Sequence, residues 1–212
     1  MREIKYFFSP VFILASLSLF TFDVFAGNVD GKAMSKGEAY YKKMAYSQAV
    51  LEFGKVIALD PLNASAYVNR GLAYRAKGDF DKAIADFNKA LEINPEDYTV
   101  YNDRGKAYEY KGYLLKALAD FSKAIKMNPR YAQAYYNRGL IYQKKSHYDQ
   151  AVADYNKAIA INPREYIFYL GRGVAYYYKG DLAKAIEDWS RLNRNDAKVP
   201  AKIKIPFAGK DK

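Results

Sequence analysis

The single histidine and the absence of cysteine limit the chemistry open to this 212-residue chain. Without a thiol there is no disulfide, thiolate zinc site, iron–sulfur cluster or cysteine nucleophile. A serine triad would need His147 as its base, and this residue stands where two similar segments have Asp79 and Asp181. We interpret His147 as a turn residue and not as a catalytic base.

The recurrent sequence Asn-Arg-Gly, at residues 69–71 and 137–139, is not interpreted as a phosphate loop. It is predicted to lie inside helices, where its backbone amides are already hydrogen-bonded. The carboxylates are numerous, but a regular period spreads them along the chain. The sequence therefore predicts no enzyme, no catalytic residue, no metal site and no cofactor.

In five places a basic residue is followed sixteen positions later by an acidic one. The pairs are Lys36 and Glu52, Arg70 and Asp86, Arg104 and Asp120, Arg138 and Asp154, and Arg172 and Asp188. Where the base is Lys, the acid is the longer Glu. We predict five ion pairs that each join two helices of one structural repeat, and such pairs fix orientation more than they add stability.

The charged pairs belong to a 34-residue sequence repeat. The helices that carry them must therefore recur with the same period. The period is marked by Pro61, Pro95, Pro129 and Pro163, and it defines repeats 30–63, 64–97, 98–131, 132–165 and 166–199. Position eight of each repeat is glycine, position eleven tyrosine and position twenty alanine. Position twenty-four is always aromatic, as Phe53, Phe87, Phe121, Tyr155 and Trp189.

Each repeat is interpreted as two helices joined by a short turn. Positions four, eight and eleven of the first helix, such as Tyr67, Gly71 and Tyr74, fall on one buried face. The glycine is expected to let a partner backbone approach closely, which accounts for a helix-weakening residue in mid-helix. Each X-Pro pair is predicted to end a second helix. Left-handed caps are predicted to end first helices at Gly78, Gly112 and Gly180.

The order of an aromatic, Gly, Tyr, Ala, Phe and Pro at positions four, eight, eleven, twenty, twenty-four and thirty-two is similar to the tetratricopeptide repeat. The outer repeats depart from it, since Ala33 replaces the aromatic residue and Ala197 replaces the proline. The resemblance implies an all-α fold, a right-handed superhelical solenoid of five antiparallel helix pairs over residues 27–199. It also implies a concave groove, lined by the first helices, that holds a protein or peptide segment. The predicted function is a non-enzymatic scaffold or adaptor.

The columns expected to face this groove contain amides, tyrosines and scattered charges. Amides satisfy a peptide backbone, and tyrosine rings offer contact area at low entropic cost. The candidate partner-binding residues are Asn69, Arg75, Asn102, Asp103, Lys106, Tyr110, Tyr136, Asn137, Gln143, Lys144 and Tyr177.

The polar residues at position six of the central repeats have two interpretations. In some family members an asparagine ladder at this position binds the backbone of a peptide, and by resemblance Asn69, Asp103 and Asn137 would do the same. The alternative is that asparagine is simply frequent beside Arg-Gly in this repeat type. The two-carboxylate clamp of chaperone-binding relatives needs a Lys, Asn, Asn, Lys, Arg pattern that this sequence lacks.

A net charge of +11 suggests a second class of function. Position twenty-six is basic in every repeat, and the segment 200–212 is a basic tail. These cations would favour an anionic envelope polymer or membrane surface, although ordinary solvated lysines also explain them. The position-twenty-six residues are Lys55, Lys89, Lys123, Lys157 and Arg191.

The first 26 residues resemble a secretory signal peptide. A basic head with Arg2 and Lys5 precedes an apolar stretch over residues 6–22, and Ala26 follows as a small residue suited to cleavage. The alternative is a retained membrane anchor. The sequence thus predicts export to a periplasmic or secreted location, and export argues against a nucleic-acid partner.

Overall fold

The computed structural model describes residues 31–192, and every regular element in that range is a helix. The predicted signal peptide at 1–26 and the basic tail at 200–212 lie outside the described residues. The predicted all-α class is confirmed. The chain divides into two compact units, Met1–Ile93 and Asn94–Lys212.

The first compact unit contains two described helix pairs, and the second contains three. The helices of the first are α1 (31–42), α2 (Tyr46–Leu59), α3 (Ala64–Lys77) and α4 (Phe80–Ile93). Those of the second are α5 (Tyr98–Tyr110), α6 (Leu114–Met127), α7 (Ala132–Lys144), α8 (Tyr148–Ile161), α9 (Tyr166–Lys179) and α10 (Leu182–Leu192). Within each unit the helices from α2 onward pack on their neighbours in the sequence, and Gly37 places α1 against Phe53 of α2. The repeat bounds make the odd-numbered helices the first helices of the repeats.

The helix ends follow the predicted chemistry. The backbone of Gly78, Gly112 and Gly180 is left-handed, with φ of 86°, 78° and 85°. Each of α2, α4, α6 and α8 ends two residues before a repeat proline. The helix ends are therefore set by glycine's freedom at positive φ and by the restriction that proline places on its predecessor.

Two repeats place a residue other than glycine at the left-handed position. Met44 has φ of 60° and Ser146 has φ of 61°. A side chain at positive φ costs about 1–2 kcal/mol, whereas the extra freedom of an unfolded glycine costs about 0.4–1 kcal/mol. Met44→Gly and Ser146→Gly are therefore each expected to raise the free energy of unfolding by about 0.5–1 kcal/mol, measured by urea denaturation.

The reverse change supplies the control for this prediction. A Cβ added at Gly112 would meet nothing within 4 Å, so only the backbone conformation opposes it. Gly112→Ala is expected to destabilise by about 1 kcal/mol. Equal stability of Met44→Gly and the wild type would contradict the assigned strain.

The glycine at position eight packs against an aromatic ring, not against a partner backbone as predicted. A Cβ built on Gly105 would lie 2.7 Å from Phe121, and one on Gly71 would lie 2.8 Å from Phe87. The same contact recurs in all five repeats, with Tyr155 and Trp189 in the last two. Glycine at position eight and the aromatic residue at position twenty-four thus form one packing unit, in which the ring of the second helix lies on the backbone of the first.

Candidate functional site

All five predicted ion pairs are present. Arg104 donates from Nε to Asp120 Oδ2 at 2.8 Å and from Nη2 to Oδ1 at 2.7 Å. The pairs of Arg70, Arg138 and Arg172 have the same two-bond geometry. In the first repeat Lys36 Nζ lies 3.1 Å from Glu52 Oε1. The pairs join the first and second helix of each repeat, as predicted.

The acid of each pair is buried, and tyrosines enclose the arginine. Asp120 is 6% exposed, and its hydrogen bonds raise the pKa of Arg104 above its ordinary value. The Arg104 guanidinium also lies 5.5 Å from the Tyr101 ring centroid and 5.8 Å from that of Tyr108. Positions four and eleven therefore hold the arginine by cation–π contact, a role that the helical spacing alone did not indicate.

In the first compact unit, Asn69 and Arg75 are the predicted partner-binding residues. Both are half-buried. Asn69 Nδ2 lies 3.7 Å from Met34 Sδ, which makes a weak contact between α3 and α1. Part of the surface of each residue therefore remains accessible to solvent.

In the second compact unit, two of the predicted amides bind each other. Asn102 and Asn137 are each 3% exposed. Asn137 Nδ2 donates to Asn102 Oδ1 at 2.8 Å, and Gln133 Nε2 donates to Asn137 Oδ1 at 3.2 Å. These amides join α5 to α7, so both polar side-chain atoms of Asn137 and the side-chain oxygen of Asn102 are already used inside the protein.

Tyr136 also belongs to this interior, and half-buried Gln143 is bonded to it through Tyr155. Tyr136 is 9% exposed, packs on Tyr155 and Phe168, and burial raises its pKa to about 12. The hydroxyl of Tyr155 donates to Gln143 Oε1 at 3.1 Å. A Cβ at Gly171 would lie 3.0 Å from Tyr155 and 3.2 Å from Tyr136, so this glycine makes room for both rings.

The remaining candidates reach the surface. Asp103, Lys106 and Tyr177 are half-buried, whereas Tyr110 is 66% exposed. Lys144 is exposed, and its Nζ bonds Glu109 Oε1 at 2.5 Å between α5 and α7.

Tyr178 adds an exposed ring that the candidate set did not contain. It is 59% exposed and stacks on Tyr148, with centroids 5.5 Å apart. Tyr110, Lys144 and Tyr178 all occupy position thirteen, at the carboxyl ends of α5, α7 and α9. We call Tyr110, Lys144, Tyr177 and Tyr178 the tyrosine–lysine strip. The position column alone would have identified Tyr178.

The basic column at position twenty-six is partly neutralised by neighbouring acids. Lys55 lies 3.0 Å from Glu52, and Lys89 lies 2.8 Å from Glu92. Arg191 lies 3.0 Å from Glu187 in the last helix. These local pairs weaken the field that the outer cations present to an anionic surface.

His147 lies exposed in the turn before α8, as predicted, with its ring 6.4 Å from that of Tyr142. Between residues 31 and 192, no three His, Cys, Asp or Glu side chains are grouped closely enough to hold a metal ion. No helix in the described part of the chain has the length and apolar character of a membrane span.

The helix pairs and their repeated ion pairs define a class, the helical-repeat proteins. Comparison with protein families gives the kind of repeat. The model described as "Tetratricopeptide repeat" matches residues 64–97 and 132–165, and the model described as "TPR repeat" matches residues 37–76 and 110–146. The chain therefore carries tetratricopeptide repeats, as the resemblance of its repeat pattern to this family implied.

Solved structures share this fold. A crystal structure of MamA protein is 27% identical with a TM-score of 0.68, over 78% of this chain and 90% of that one. PilF of Pseudomonas aeruginosa is 17% identical with a TM-score of 0.71, over 78% and 75%. YrrB, described as "a TPR protein with an unusual peptide-binding site", is 21% identical with a TM-score of 0.60, over 75% and 82%. No curated protein matches the chain.

Proposed function

We propose that this protein is a non-enzymatic scaffold that binds a peptide or protein segment. The observation that carries the proposal is the tyrosine–lysine strip, which places exposed rings and a cation on three successive first helices of one compact unit. Tyrosine combines apolar area with a hydrogen-bonding hydroxyl, the combination that peptide-binding surfaces favour. The peptide-binding site named for the similar fold of YrrB supports the same ligand class.

The burial of the asparagines changes which predicted residues we assign to contact. Asn102 and Asn137 bind each other, and Tyr136 packs in the core. We assign these three residues to positioning α5, α7 and α9. Partner contact is assigned to Asp103, Lys106 and the strip in the second compact unit. In the first compact unit it is assigned to Asn69 and Arg75.

A peptide selected from a random display library is the probe for this proposal. Its affinity is expected to fall at least about tenfold in Tyr110→Ala and in Tyr178→Ala, because each change removes a ring worth more than about 1.4 kcal/mol of contact. Fluorescence anisotropy measures the affinity, and circular dichroism verifies the helix content. Leu115→Ala is the control, since Leu115 is 73% exposed on α6, a second helix.

The alternative function is binding of an anionic envelope surface through the outer cations. The dependence of binding on salt concentration distinguishes it from peptide binding. Peptide binding through the strip should survive 0.5 M NaCl, at which the Debye length falls to about 4 Å. Selected peptides whose binding ignores both tyrosines, together with salt-sensitive binding to phosphatidylglycerol vesicles, would refute the scaffold proposal. The exported location is likewise a proposal, resting on residues 1–26, and N-terminal sequencing of the mature chain tests it.

A further inference from the structure

The repeat arginines make a third hydrogen bond, and it links one repeat to the next. Arg138 Nη1 donates to Ser122 Oγ at 3.0 Å, and Arg172 Nη1 donates to Asn156 Oδ1 at 2.6 Å. Both acceptors occupy position twenty-five in the second helix of the preceding repeat. The guanidinium thus uses Nε and Nη2 within its own repeat and Nη1 across the boundary.

Gly54 removes this acceptor in the first compact unit. It occupies position twenty-five of the first repeat, in the middle of α2, and a Cβ added there would lie 3.9 Å from Arg70 Nη1. The hydrogen bonds of Arg70 within the described residues leave from Nε and Nη2, and both end on Asp86. Arg70 Nη1 is therefore left without the partner that its counterparts have.

A cleft of about 540 Å³ occupies the space beside Gly54 and Arg70. It runs along α2 from Gln48 to Ala58, and Leu51, 66% exposed, contributes apolar surface. The cleft therefore combines an unused guanidinium N–H with apolar walls.

The charges around the cleft suit a monoanion. Among the residues that line the cleft, Lys55 and Arg70 are cationic and Glu52 is anionic, which leaves one positive charge in excess. Glu52 itself lines the cleft, so the second negative charge of a phosphate would meet repulsion there. Val50, Leu51 and Ala58 together line the cleft with apolar surface, against which a ligand with an apolar body can pack.

We propose that this cleft binds a carboxylate carried on an apolar body. One carboxylate oxygen accepts from Arg70 Nη1, in the place that Ser122 and Asn156 fill in later repeats. The apolar body lies along Leu51 and Ala58. The residues that line the cleft all belong to the first compact unit, whereas those of the tyrosine–lysine strip belong to the second.

Hexanoate is the probe, titrated into the purified protein while ¹⁵N spectra follow the arginine Nε and backbone amide resonances. We expect saturable shifts at Arg70 and along α2, with a dissociation constant of about 1 mM, as for a ligand with one charge-assisted contact. Hexanamide, which lacks the charge, should bind at least about tenfold more weakly.

Gly54→Ser is the decisive variant, because it supplies the missing acceptor and fills part of the cleft. It should weaken hexanoate binding at least about tenfold while the protein stays folded, since serine is a better helix former than glycine. The control is Ala119→Ser on the exposed face of α6, which should leave binding unchanged. Equal binding to Gly54→Ser and the wild type, or to hexanoate and hexanamide, would overturn the proposal.

A second arm distinguishes two sources of the carboxylate. Acetyl-Leu-Leu with a free carboxyl group imitates the end of a peptide chain, and binding at Arg70 that is tighter than that of hexanoate supports a peptide source. Binding of hexanoate alone supports a small carboxylic acid. If neither probe shifts the Arg70 resonance, the cleft is not a carboxylate site.

Discussion

Arg138→Met is expected to lower the free energy of unfolding by about 3 kcal/mol. The substitution leaves Asp154, 5% exposed, without the two hydrogen bonds that it accepts from Nε and Nη2. A buried carboxylate without its cation costs roughly 3–5 kcal/mol, and the lower end applies because the Arg138 side chain is itself 20% exposed. Urea denaturation measures the loss, and amide exchange of α7 and α8 locates it.

Two comparisons isolate the stranded charge as the cause. The double substitution Arg138→Met with Asp154→Leu removes both charges, so it should recover most of the loss. Lys89→Ala breaks a pair whose side chains are 48% and 64% exposed, and it should cost less than about 0.5 kcal/mol. A double variant as unstable as Arg138→Met would show that the arginine matters through packing, in its contacts with Tyr135 and Tyr142, and not through its charge.

The features predicted correctly are those in which one contact is repeated at one spacing. An arginine and an aspartate sixteen residues apart meet in each of the last four repeats, and a lysine and a glutamate in the first, because the same turn brings the same two helices together. Because the pattern occurs five times, the sequence alone indicates its structural cause. The helix ends before the prolines and at the left-handed glycines are predictable for the same reason.

The burial of the candidate site could not be predicted, because it depends on pairs that cross repeats and do not recur. Asn137 is buried because Asn102, thirty-five residues earlier, accepts a hydrogen bond from its Nδ2, and the corresponding contact of Asn69 is to Met34 instead. Tyr136 enters the core because Gly171 leaves space for it. Glycine at position six of the last repeat departs from its column, but that departure alone does not identify the rings that fill the space.

The missing acceptor at Gly54, in a second helix, likewise depends on a contact that crosses repeats. As one residue in α2 it carries no visible role, and only the serine and asparagine of the same column show that a hydrogen-bond acceptor is missing. The regular arginines at position seven therefore predict ion pairs that are present. The glycine that replaces an acceptor at position twenty-five predicts where an arginine N–H remains unused.

Gly105→Ala is expected to destabilise the protein by about 1–2 kcal/mol although alanine is the better helix former. The new Cβ would lie 2.7 Å from Cε1 of Phe121, a fully buried ring that must move. Overpacking of this kind costs roughly 1–3 kcal/mol, and the higher helix propensity of alanine returns up to about 1 kcal/mol. Urea denaturation of the variant gives the net value.

Gly54→Ala and a double variant separate the ring contact from the effect of helix propensity. At Gly54 the nearest atom that an added Cβ would meet is 3.9 Å away, so the same change should stabilise α2 by about 0.5–1 kcal/mol. Gly105→Ala combined with Phe121→Leu should lose less stability than the two single changes together, because the smaller side chain relieves the clash that the alanine creates. If the two losses are strictly additive, the Phe121 ring does not pack on Gly105. The explanation of glycine at position eight and the aromatic residue at position twenty-four as one packing unit would then be wrong.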